Sequence, residues 1–304
     1  MAIPLIGFGT AASPSNIDQM KEAVATAIQV GYRHFDTASI YGTESALGEA
    51  LNNAFLNGTV RRDKIFVSSK LFAGDHHDPV SALKTTLKNL QLEYLDLYLI
   101  HWPINLRKGA SHPNPREEEF LPLDIKSIWR GMEQCKELGL TKSIGVSNFS
   151  CKKIGDLLTY ANIYPAVNQV EMHPLWQQKK LRDFCRNVNI HVSAWSPLGG
   201  RGTFYGSNSV MENPVIGEIA EKHGKTVAQV LLRWGLEHGV SVLPKSYTKS
   251  RITENYNIFE WSLTGEDREK IRNLPQKKIV RREGLINSTT SPYRTLQDLW
   301  DGEI

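Results

Sequence analysis

Short apolar runs alternate along the chain with longer amphipathic segments. Eight of the runs have the length and composition of buried β-strands, and they cover residues 5–9, 32–35, 64–69, 94–101, 143–146, 166–170, 190–195 and 240–243. The segments between them have helical periodicity; in the first, one helical face carries Met20, Val24, Ala27 and Ile28. Strand and helix repeated eight times predict an α/β fold of the (β/α)8 TIM-barrel type, with a doubly wound parallel sheet as the alternative.

Capping residues support the predicted helices. Ser15 or Asn16 is suited to cap the first of them, which ends at Gly31. Asp78 and Pro79 stand in the order that favours an N-cap followed by the first helical turn. The periodic segments are therefore predicted to be helices that begin and end between the strands.

Two connections are unusually long. Residues 103–124 follow the fourth predicted strand, and residues 196–214 follow the seventh. Long loops in a compact domain are usually functional or disordered, and in a barrel the loops after the carboxyl ends of the strands carry the active site. The tail after about residue 275 is weakly periodic, and we expect it to fold over the same face. No internal repeat or linker interrupts the chain, so we expect one domain over residues 1–304.

Composition narrows the classes of function. The chain has 304 residues, of which 40% are hydrophobic and 22% charged, and its formal net charge is +4; this is ordinary globular composition. Part of the positive charge comes from Lys277, Lys278, Arg281 and Arg282, which we interpret as a solvated face. Basic residues do not interleave with aromatic ones as they do in nucleic-acid-binding proteins, so no nucleic-acid partner is expected.

The cysteines and the N-terminal residues indicate the compartment. Cys135, Cys151 and Cys185 lie far apart and form no CxxC pair, so neither a disulfide framework nor a metal site is expected. The first residues, MAIPLIGFGTAA, lack the pattern of a signal peptide. No window reaches the roughly 18 apolar residues that a membrane span needs. We therefore expect a soluble, cytoplasmic monomer without a membrane partner.

Four chemically active side chains stand near the ends of neighbouring predicted strands. Asp36 follows the second strand, Lys70 the third and His101 the fourth, while Tyr41 lies on the loop after the second. Each has a structural interpretation as well: a helix cap for Asp36, a core aromatic for Tyr41, a surface lysine for Lys70 and a core histidine for His101. Because the carboxyl ends of barrel strands converge on one mouth, we favour a single shared site.

The chemistry of these groups favours reduction of a carbonyl. The phenol of Tyr41 is protonated at neutral pH and can donate its proton. A neighbouring Lys70 ammonium is expected to lower the pKa of that phenol by about 1–3 units. Asp36 would hold Lys70 charged and oriented, and His101 would form a hydrogen bond with the substrate oxygen. Since no metal or nucleophile is involved, the hydride must come from a cofactor.

Seven motifs occur in the order found in one known family: GYRHFDTASIYGTE, SSKL, LIHWP, IGVSNF, NQVEMHP, AWSPLG and PKS with the R and EN that follow. From about Leu5 to Asn255 the chain resembles the aldo-keto reductase family. The resemblance implies a TIM barrel that binds NADPH or NADP+ in extended form, without a Rossmann fold. It also implies a catalytic tetrad at Asp36, Tyr41, Lys70 and His101, in which Tyr41 donates the proton and nicotinamide C4 the hydride.

The same resemblance implies a set of cofactor-binding positions. They are Thr10, Asp36, Ser147, Asn148 and Gln169 near the nicotinamide, Trp195 stacked on it, Ser196 and Leu198 on the pyrophosphate loop, Lys245, Ser246 and Arg251 at the 2′-phosphate, and Glu254 and Asn255 at the adenine. The alternatives are loop capping for Ser147 and Asn148, and a solvated helix start for Lys245 and Arg251.

The sequence specifies the residues that contact the substrate less well than those that bind the cofactor. We expect it to include His101, Trp102, Ala11 and Phe72. Ala11 stands where some family members have a bulky aromatic residue, so its small side chain should enlarge the pocket. Further apolar walls are expected from Trp129 and from residues of the tail such as Pro292 and Tyr293. The substrate is expected to be a ketone or aldehyde among small-molecule metabolites, and the enlarged pocket suits a larger one of these.

Two further features concern the subgroup and the barrel floor. The segments around WQQKKLRDFC and IFEWSLTGEDREKIRNLPQ resemble plant members of specialised metabolism, such as chalcone, codeinone and methylecgonone reductases and deoxymugineic acid synthase. Family members usually carry about a dozen residues before the first strand, which form a hairpin across the barrel bottom. This chain begins almost at the strand, so either it has been shortened or its floor is closed in another way.

Three other functions compete with this interpretation. A Rossmann dehydrogenase needs GxGxxG, and Ala12 stands at its third glycine position. A barrel glycosidase needs two facing carboxylates, for which Asp36 and Glu171 are candidates, but we expect Lys70 to pair with Asp36. A catalytically weak, NADPH-binding regulatory or partner subunit would keep the barrel and lose activity, and the complete tetrad argues against it.

Overall fold

A parallel barrel forms the centre of the molecule. The computed structural model describes residues 2–11, 17–203, 206–287 and 289–304. Within these ranges eight strands form one sheet, and every pair of neighbours in it is parallel. In chain order the strands are β1 (Phe8–Gly9), β2 (His34–Asp36), β3 (Phe66–Leu71), β4 (Leu97–Ile100), β5 (Asn105–Leu106), β6 (Phe120–Leu121), β7 (Ile144–Ser147), β8 (Val167–Glu171), β9 (His191–Trp195) and β10 (Ser241–Leu243). β5 and β6 stand apart as an antiparallel pair inside the long connection after β4.

The two edges of the sheet meet, so the barrel is nearly closed. A parallel bridge joins Ile6 to Val242, and the N–H of Gly7 donates a 2.9 Å hydrogen bond to the Val242 carbonyl. The predicted barrel is therefore confirmed, and the doubly wound sheet, which would keep two open edges, is wrong. Each of the eight predicted runs overlaps a strand, but most strands are shorter than the apolar run that predicts them.

Helices follow the strands around the outside. They are α1 (Ile17–Val30), α2 (Glu44–Leu56), α3 (Pro79–Leu90), α4 (Ile125–Glu137), α5 (Cys151–Leu158), α6 (Lys179–Asn187), α7 (Pro214–His223), α8 (Val227–Glu237), α9 (Lys249–Tyr256), α10 (Gly265–Arg272) and α11 (Leu296–Trp300). The predicted face of α1 is buried. Asp78, which directly precedes Pro79, accepts a hydrogen bond from the Ser81 N–H and so caps α3 as predicted. Ser15 and Asn16 lie outside the described residues.

The barrel interior is apolar at its floor. Phe66, Leu97, Leu99 and Val167 form a buried cluster there, and Ile3 packs against it. A Cβ atom on Gly145 would lie 2.5 Å from the Val167 carbonyl oxygen, so only glycine allows β7 and β8 this close approach. The N-terminal residues thus cover part of the floor. Two histidines share this level, because His34 is in register with Phe66 and His191 with Val167.

The C-terminal tail returns across the carboxyl ends of the strands, as its weak periodicity led us to expect. The Tyr293 hydroxyl donates a 2.6 Å hydrogen bond to the Pro103 carbonyl, and the Trp300 indole N–H donates one of 3.0 Å to the Arg281 carbonyl. The tail packs in one apolar cluster with the long connection after β4. It therefore helps to shape the mouth of the barrel.

The basic stretch in this tail is not the solvated face that we predicted. Lys277 and Arg281 are exposed, but Lys278 is 6% exposed and Arg282 is partly buried. The Lys278 ammonium lies 3.7 Å from Glu171 Oε2 and 3.7 Å from the centre of the Trp300 ring. A buried carboxylate on a distant strand gives this lysine a partner, which no local pattern in the sequence reveals.

Candidate active site

Four side chains from neighbouring strands meet at the mouth of the barrel. Asp36 ends β2 and Lys70 lies one residue before the end of β3. Tyr41 ends a 3₁₀ turn at residues 39–41, and His101 directly follows β4. Lys70 Nζ lies 2.6 Å from Asp36 Oδ2 and 3.5 Å from the Tyr41 hydroxyl. The structure thus brings the predicted tetrad together in one place.

The Asp36 carboxylate is held from two sides. Its Oδ2 binds the Lys70 ammonium, while its Oδ1 accepts hydrogen bonds of 2.8 Å from the Ser68 hydroxyl and from Gln169 Nε2. Lys70 is 1% exposed and also donates to the Thr37 carbonyl at 2.8 Å. Burial alone would lower the pKa of Lys70, but Asp36 and the Tyr41 oxygen outweigh it, so this pKa lies above its ordinary value. Lys70 is therefore charged where it faces Tyr41.

His101 is neutral. Burial, followed by the positive charges of Lys70 and Arg282, holds the pKa of His101 well below its usual value. Its ring meets the Tyr41 ring edge to face at 5.7 Å between centres, and its carbonyl accepts a 2.9 Å hydrogen bond from Asn148. Its Nδ1 is buried without a hydrogen-bond partner among the described residues. A neutral imidazole beside a phenol can form a hydrogen bond with an oxygen bound between them.

A cleft of about 1310 Å³ opens above these residues. Cavities that hold one drug-sized ligand are usually about 300–1,000 Å³, so this cleft has room for a cofactor and a substrate together. Most of the predicted site residues line it: Thr10, Ala11, Asp36, Tyr41, His101, Trp102, Ser147, Asn148, Gln169, Trp195, Ser196, Leu198, Lys245, Arg251, Glu254 and Asn255. Lys70 lies behind Asp36, and Phe72 and Ser246 do not line the cleft.

The middle of the cleft has an unusual backbone. Asn148 after β7 and Ser196 after β9 both have positive φ, 65° and 48°, which few residues other than glycine adopt. Asn148 Oδ1 accepts a 3.0 Å hydrogen bond from the indole N–H of Trp195, and Ser147 donates one of 2.7 Å to the Gln169 carbonyl. Strained residues of this kind cluster at ligand sites, because a site fixes side chains that the backbone would not otherwise place there.

The far end of the cleft is cationic. Lys245 and Arg251 line it, and neither forms an ion pair within the part of the chain that the structure describes. Glu254 and Asn255 lie beside them on α9, where Glu254 accepts a 2.8 Å hydrogen bond from Thr226. Ser246 accepts a hydrogen bond from the Thr248 N–H at the start of this helix. This end can therefore receive an anionic group.

The motifs of a known family cover the same residues. The pattern of the aldo/keto reductase family matches residues 5–275. The chain belongs to the aldo/keto reductase family. The predicted family is therefore confirmed, and the fold follows from it.

Individual aldo/keto reductases are similar over nearly the whole length. The chain is 51% identical over 306 residues to the (1S)-1,7-diacetoxy-luvungin A aldo-keto reductase of Citrus sinensis, covering 100% of this chain and 95% of that protein. It is 48% identical over 305 residues to deoxymugineic acid synthase 1-B of Triticum aestivum, covering 99% and 97%. A solved structure of a Bombyx mori aldo-keto reductase in complex with NADP matches with a TM-score of 0.82 and 36% identity over 91% of each chain. The predicted likeness to plant members is confirmed.

Some expectations for this aldo/keto reductase are corrected. Trp129 is 1% exposed and donates its indole N–H to the Ile163 carbonyl, so it packs in the core between α4 and the barrel and forms no wall of the cleft. Phe72 lines a small adjoining pocket. Tyr293 packs behind the cleft through its bond to Pro103. Aromatic residues in long loops and helices have no strand to fix their direction, which is why the sequence placed them poorly.

Glu171 does not face Asp36 across the cleft. It is 1% exposed and accepts hydrogen bonds from His173 and from the N–H groups of Ile279 and Val280. Burial raises its pKa, but His173 and Lys278 outweigh this and hold it below the ordinary value. A carboxylate bound in this way fixes the tail, and it is not the second catalytic acid of a glycosidase.

The sequence missed several residues that line the cleft: Ile40, His112, Pro113, Pro197, Arg201, Thr203, Met211, Val280 and Arg282. Most of them lie in the two long connections, which the sequence did mark as functional. Arg282 lies in the basic tail and had no such signal. Within the described ranges no group of histidine, cysteine and acidic residues is arranged to hold a metal ion, and no helix there is long and apolar enough to cross a membrane.

Proposed function

We propose that this aldo/keto reductase reduces a ketone or aldehyde to an alcohol with NADPH. The observation that carries the proposal is the Tyr41 hydroxyl, which lies 3.5 Å from a buried, charged lysine at the edge of a large cleft. In the overall reaction the carbonyl takes up a hydride and a proton, and NADPH becomes NADP+. The solved aldo-keto reductase with bound NADP supports this choice of cofactor.

The residues of the cleft fit NADPH. The cationic pair Lys245 and Arg251 suits the 2′-phosphate, for which Arg offers two donors and Lys a point charge. Ser147, Asn148 and Gln169 carry the hydroxyl and amide groups that a carboxamide needs. Trp195, whose indole N–H donates to Asn148 Oδ1, also lines the cleft and offers a ring for stacking. When bound, NADPH supplies the hydride.

Tyr41 is the proton donor in this proposal. The Lys70 ammonium stabilises the negative charge that develops on the phenol oxygen as the proton leaves, and Asp36 keeps Lys70 in place. General acid catalysis by such a group contributes roughly 10²–10⁴-fold. His101, because it is neutral, can donate a hydrogen bond to the substrate oxygen without competing for the proton.

The substrate is a small metabolite of a specialised pathway. The relatives named for a luvungin derivative and for deoxymugineic acid support this class, because they match the whole chain. Ala11 lines the cleft and leaves room beside Tyr41 and Trp102 for a substrate larger than a simple aldehyde.

The protein is proposed to act as a monomer in the cytoplasm. Cys135, Cys151 and Cys185 form no disulfide with one another, which suits a reducing compartment. Light scattering of the purified protein and fractionation of cells that express a tagged copy test the two statements separately.

Consumption of NADPH, followed by its absorbance with a panel of aldehydes and ketones, tests the proposed function. We expect turnover with at least one carbonyl compound, a matching alcohol in the product analysis, and turnover by Tyr41→Phe that is lower by roughly 10²–10⁴-fold. Tight NADPH binding without turnover of any member of the panel would contradict the proposal and favour a cofactor-binding partner subunit. No binding of NADPH at all would exclude both.

A further inference from the structure

The tail is anchored immediately before the point where it enters the cleft. Glu171 Oε1 accepts the Ile279 N–H at 2.8 Å, and Oε2 accepts the Val280 N–H at 3.1 Å. Lys278 adds a buried charge 3.7 Å from Oε2. Val280 and Arg282 follow at once, and both line the cleft. The position of Arg282 is therefore set by a strand of the barrel, through Glu171.

Arg282 enters the cleft beside the reacting centre. Its guanidinium carbon lies 4.8 Å from the centre of the Trp102 ring, and the Trp102 and His101 rings are stacked at 6.4 Å. Arg282 has a φ of 61°, a left-handed conformation that few residues other than glycine adopt. A guanidinium close to an aromatic ring is held by a cation–π contact, and its N–H donors lie in its own plane, where they can meet a carboxylate side on.

The chemistry around Arg282 favours an anion. Among the described residues that line the cleft, the acidic ones are Asp36 and Glu254. Asp36 is bound by Lys70, and Glu254 lies with Arg251 on α9. Two histidines that feel the charge of Arg282 are neutral: burial, then the charge of Arg282, lowers the pKa of His112 to about 4, and the pKa of His101 is also well below its usual value.

Arg282 is distinct from the cationic pair at the far end. Lys245 and Arg251 follow β10, and Lys245 lies over the ring of Tyr247. Arg282 instead lines both the cleft and a small adjoining pocket, which it shares with Phe72, Trp102 and His112. This pocket lies on the side of the cleft that we assign to the substrate.

We propose that Arg282 is a specificity-determining residue that binds a carboxylate of the substrate, so that the enzyme favours oxo acids over neutral carbonyl compounds of the same size. The inference rests on the proposed carbonyl reduction and narrows its substrate class. A hydrogen-bonded ion pair in a partly buried site contributes enough to change affinity by roughly 10- to 150-fold. Arg is better suited than Lys to this task, because it meets both carboxylate oxygens at once.

Two pairs of substrates test the proposal: para-carboxybenzaldehyde with its methyl ester, and succinic semialdehyde with its methyl ester. Within each pair the reacting aldehyde is the same and only the charge differs. We expect kcat/KM to be at least about tenfold higher for the acid, and added salt to reduce the difference. In Arg282→Leu, kcat/KM for the acid should fall by roughly 10- to 150-fold, and kcat/KM for the ester by less than about threefold. Equal losses for acid and ester, or no preference in the unmodified enzyme, would overturn the proposal.

Arg281→Leu is the matched control. Arg281 has the same charge, is the neighbouring residue, is exposed, and lies 3.8 Å from Glu283 without lining the cleft. It should leave the preference for the acid unchanged. Arg282→Lys should retain part of the preference, because it keeps the charge and loses the paired donors. NADPH affinity should be the same in all variants; a loss confined to Arg282→Leu would assign Arg282 to the cofactor and overturn the proposal.

Calorimetric binding of para-toluate to the enzyme with NADP+ gives a readout without turnover. We expect binding to the unmodified protein and to Arg281→Leu, and at least about tenfold weaker binding to Arg282→Leu. If toluate binds in this way but no carbonyl compound is reduced, the proposed function fails while the carboxylate site stands. If the neutral esters are reduced but toluate binding does not depend on Arg282, the carboxylate site fails while the proposed function stands.

Discussion

The Ser68 hydroxyl donates a 2.8 Å hydrogen bond to Oδ1 of Asp36. Ser68 is two residues before Lys70 on β3, so both side chains point into the barrel and reach the two oxygens of one carboxylate. Below them, His34 Nε2 lies 3.2 Å from the Ser68 oxygen. A short polar chain therefore leads from the barrel interior to the Lys70 ammonium and to Tyr41.

Ser68→Ala should lower kcat without a matching change in cofactor affinity. Among the described residues, the substitution removes one of the three hydrogen bonds that the Asp36 carboxylate accepts, which leaves the Lys70 ammonium less firmly positioned beside Tyr41. A hydrogen bond to a charged group contributes about 1.5–3 kcal/mol, so we expect kcat to fall by roughly three- to thirtyfold, because only part of that energy acts on the transition state. Steady-state kinetics with a reactive aldehyde and NADPH titration measure the two quantities.

The next residue on the same strand is the control. Ser69 is equally buried and donates a 2.8 Å hydrogen bond to a carboxylate, that of Glu44, on the outer side of β3. Ser69→Ala should cost similar stability and leave kcat near that of the unmodified enzyme. If both variants lose activity to the same degree, the effect is one of stability and Ser68 has no positioning role.

Tyr41→Phe should nearly abolish carbonyl reduction while NADPH still binds. The substitution removes the hydroxyl that donates the proton and keeps the aromatic ring beside His101, so we expect kcat to fall by roughly 10²–10⁴-fold. Tyr293→Phe removes a buried hydroxyl outside the cleft, the one bound to Pro103, and should retain most of the activity. A Tyr41→Phe enzyme that keeps more than about a tenth of kcat would remove Tyr41 from the mechanism.

The sequence predicts that Asp36, Lys70 and His101 meet because each of these three residues is tied to a strand end. A β-strand fixes the direction of its side chains and a barrel fixes where its strand ends meet, so the positions of Asp36, Lys70 and His101 follow from three apolar runs. Lys278 and Arg282 are different. Their burial depends on Glu171, on β8, and the sequence of the tail alone is that of an exposed basic segment.

Removal of Glu171 should destabilise the protein strongly. In Glu171→Gln the Lys278 ammonium stays buried against Trp300 without a carboxylate; breaking a buried ion pair in this way usually costs about 3–5 kcal/mol. Burial already lowers the pKa of Lys278 to about 8. Lys278→Met, which keeps the length of the side chain beside Trp300, should cost much less. Urea denaturation gives the free energies of unfolding.

The double variant separates charge from structure. In Glu171→Gln with Lys278→Met the unpaired charge is gone, so part of the stability lost in Glu171→Gln should return. If the double variant is as unstable as the sum of the single ones, the lost hydrogen bonds to Ile279 and Val280 explain the effect, and the buried charge does not.

Lys245→Ala and Arg251→Ala should each weaken the binding of NADPH and leave the binding of NADH almost unchanged. The two cofactors differ only in the 2′-phosphate, and each charged hydrogen bond to it contributes about 1.5–3 kcal/mol, or one to two decades in affinity. Quenching of tryptophan fluorescence on titration measures both affinities. Lys249→Ala, an exposed lysine at the start of α9 that does not line the cleft, is the control. Equal losses for NADPH and NADH would show that these residues act on the fold or on the adenine.

Acid should destabilise the protein through its buried histidines. Burial lowers the pKa of His34 from 6.5 to about 4, and His76 and His191 are shifted in the same direction to about 3 and about 4. Between the folded and unfolded values, the unfolded chain binds protons that the folded protein does not, so stability rises with pH in this window and is lost as pH falls through it. At about pH 4, His34 alone would account for a loss of roughly 3 kcal/mol in the free energy of unfolding.

Paired carboxylates act in a lower range, so they do not obscure this effect. Burial raises the pKa of Asp267, but hydrogen bonds from His223 and Lys222 outweigh it and hold this pKa below the ordinary value of 3.8. The stability that Asp267 contributes is therefore lost only as the pH falls below about 3.8. Urea denaturation near pH 7 and near pH 5 should therefore report the histidines, and the unmodified protein should be less stable near pH 5 by several kcal/mol. His34→Gln, which cannot titrate, should lose about 2 kcal/mol less over the same interval. His77→Gln, which replaces an exposed histidine, is the matched control for the loss of one histidine. If His34→Gln is as sensitive to acid as the unmodified protein, His34 is already protonated near neutral pH or the loss has another source.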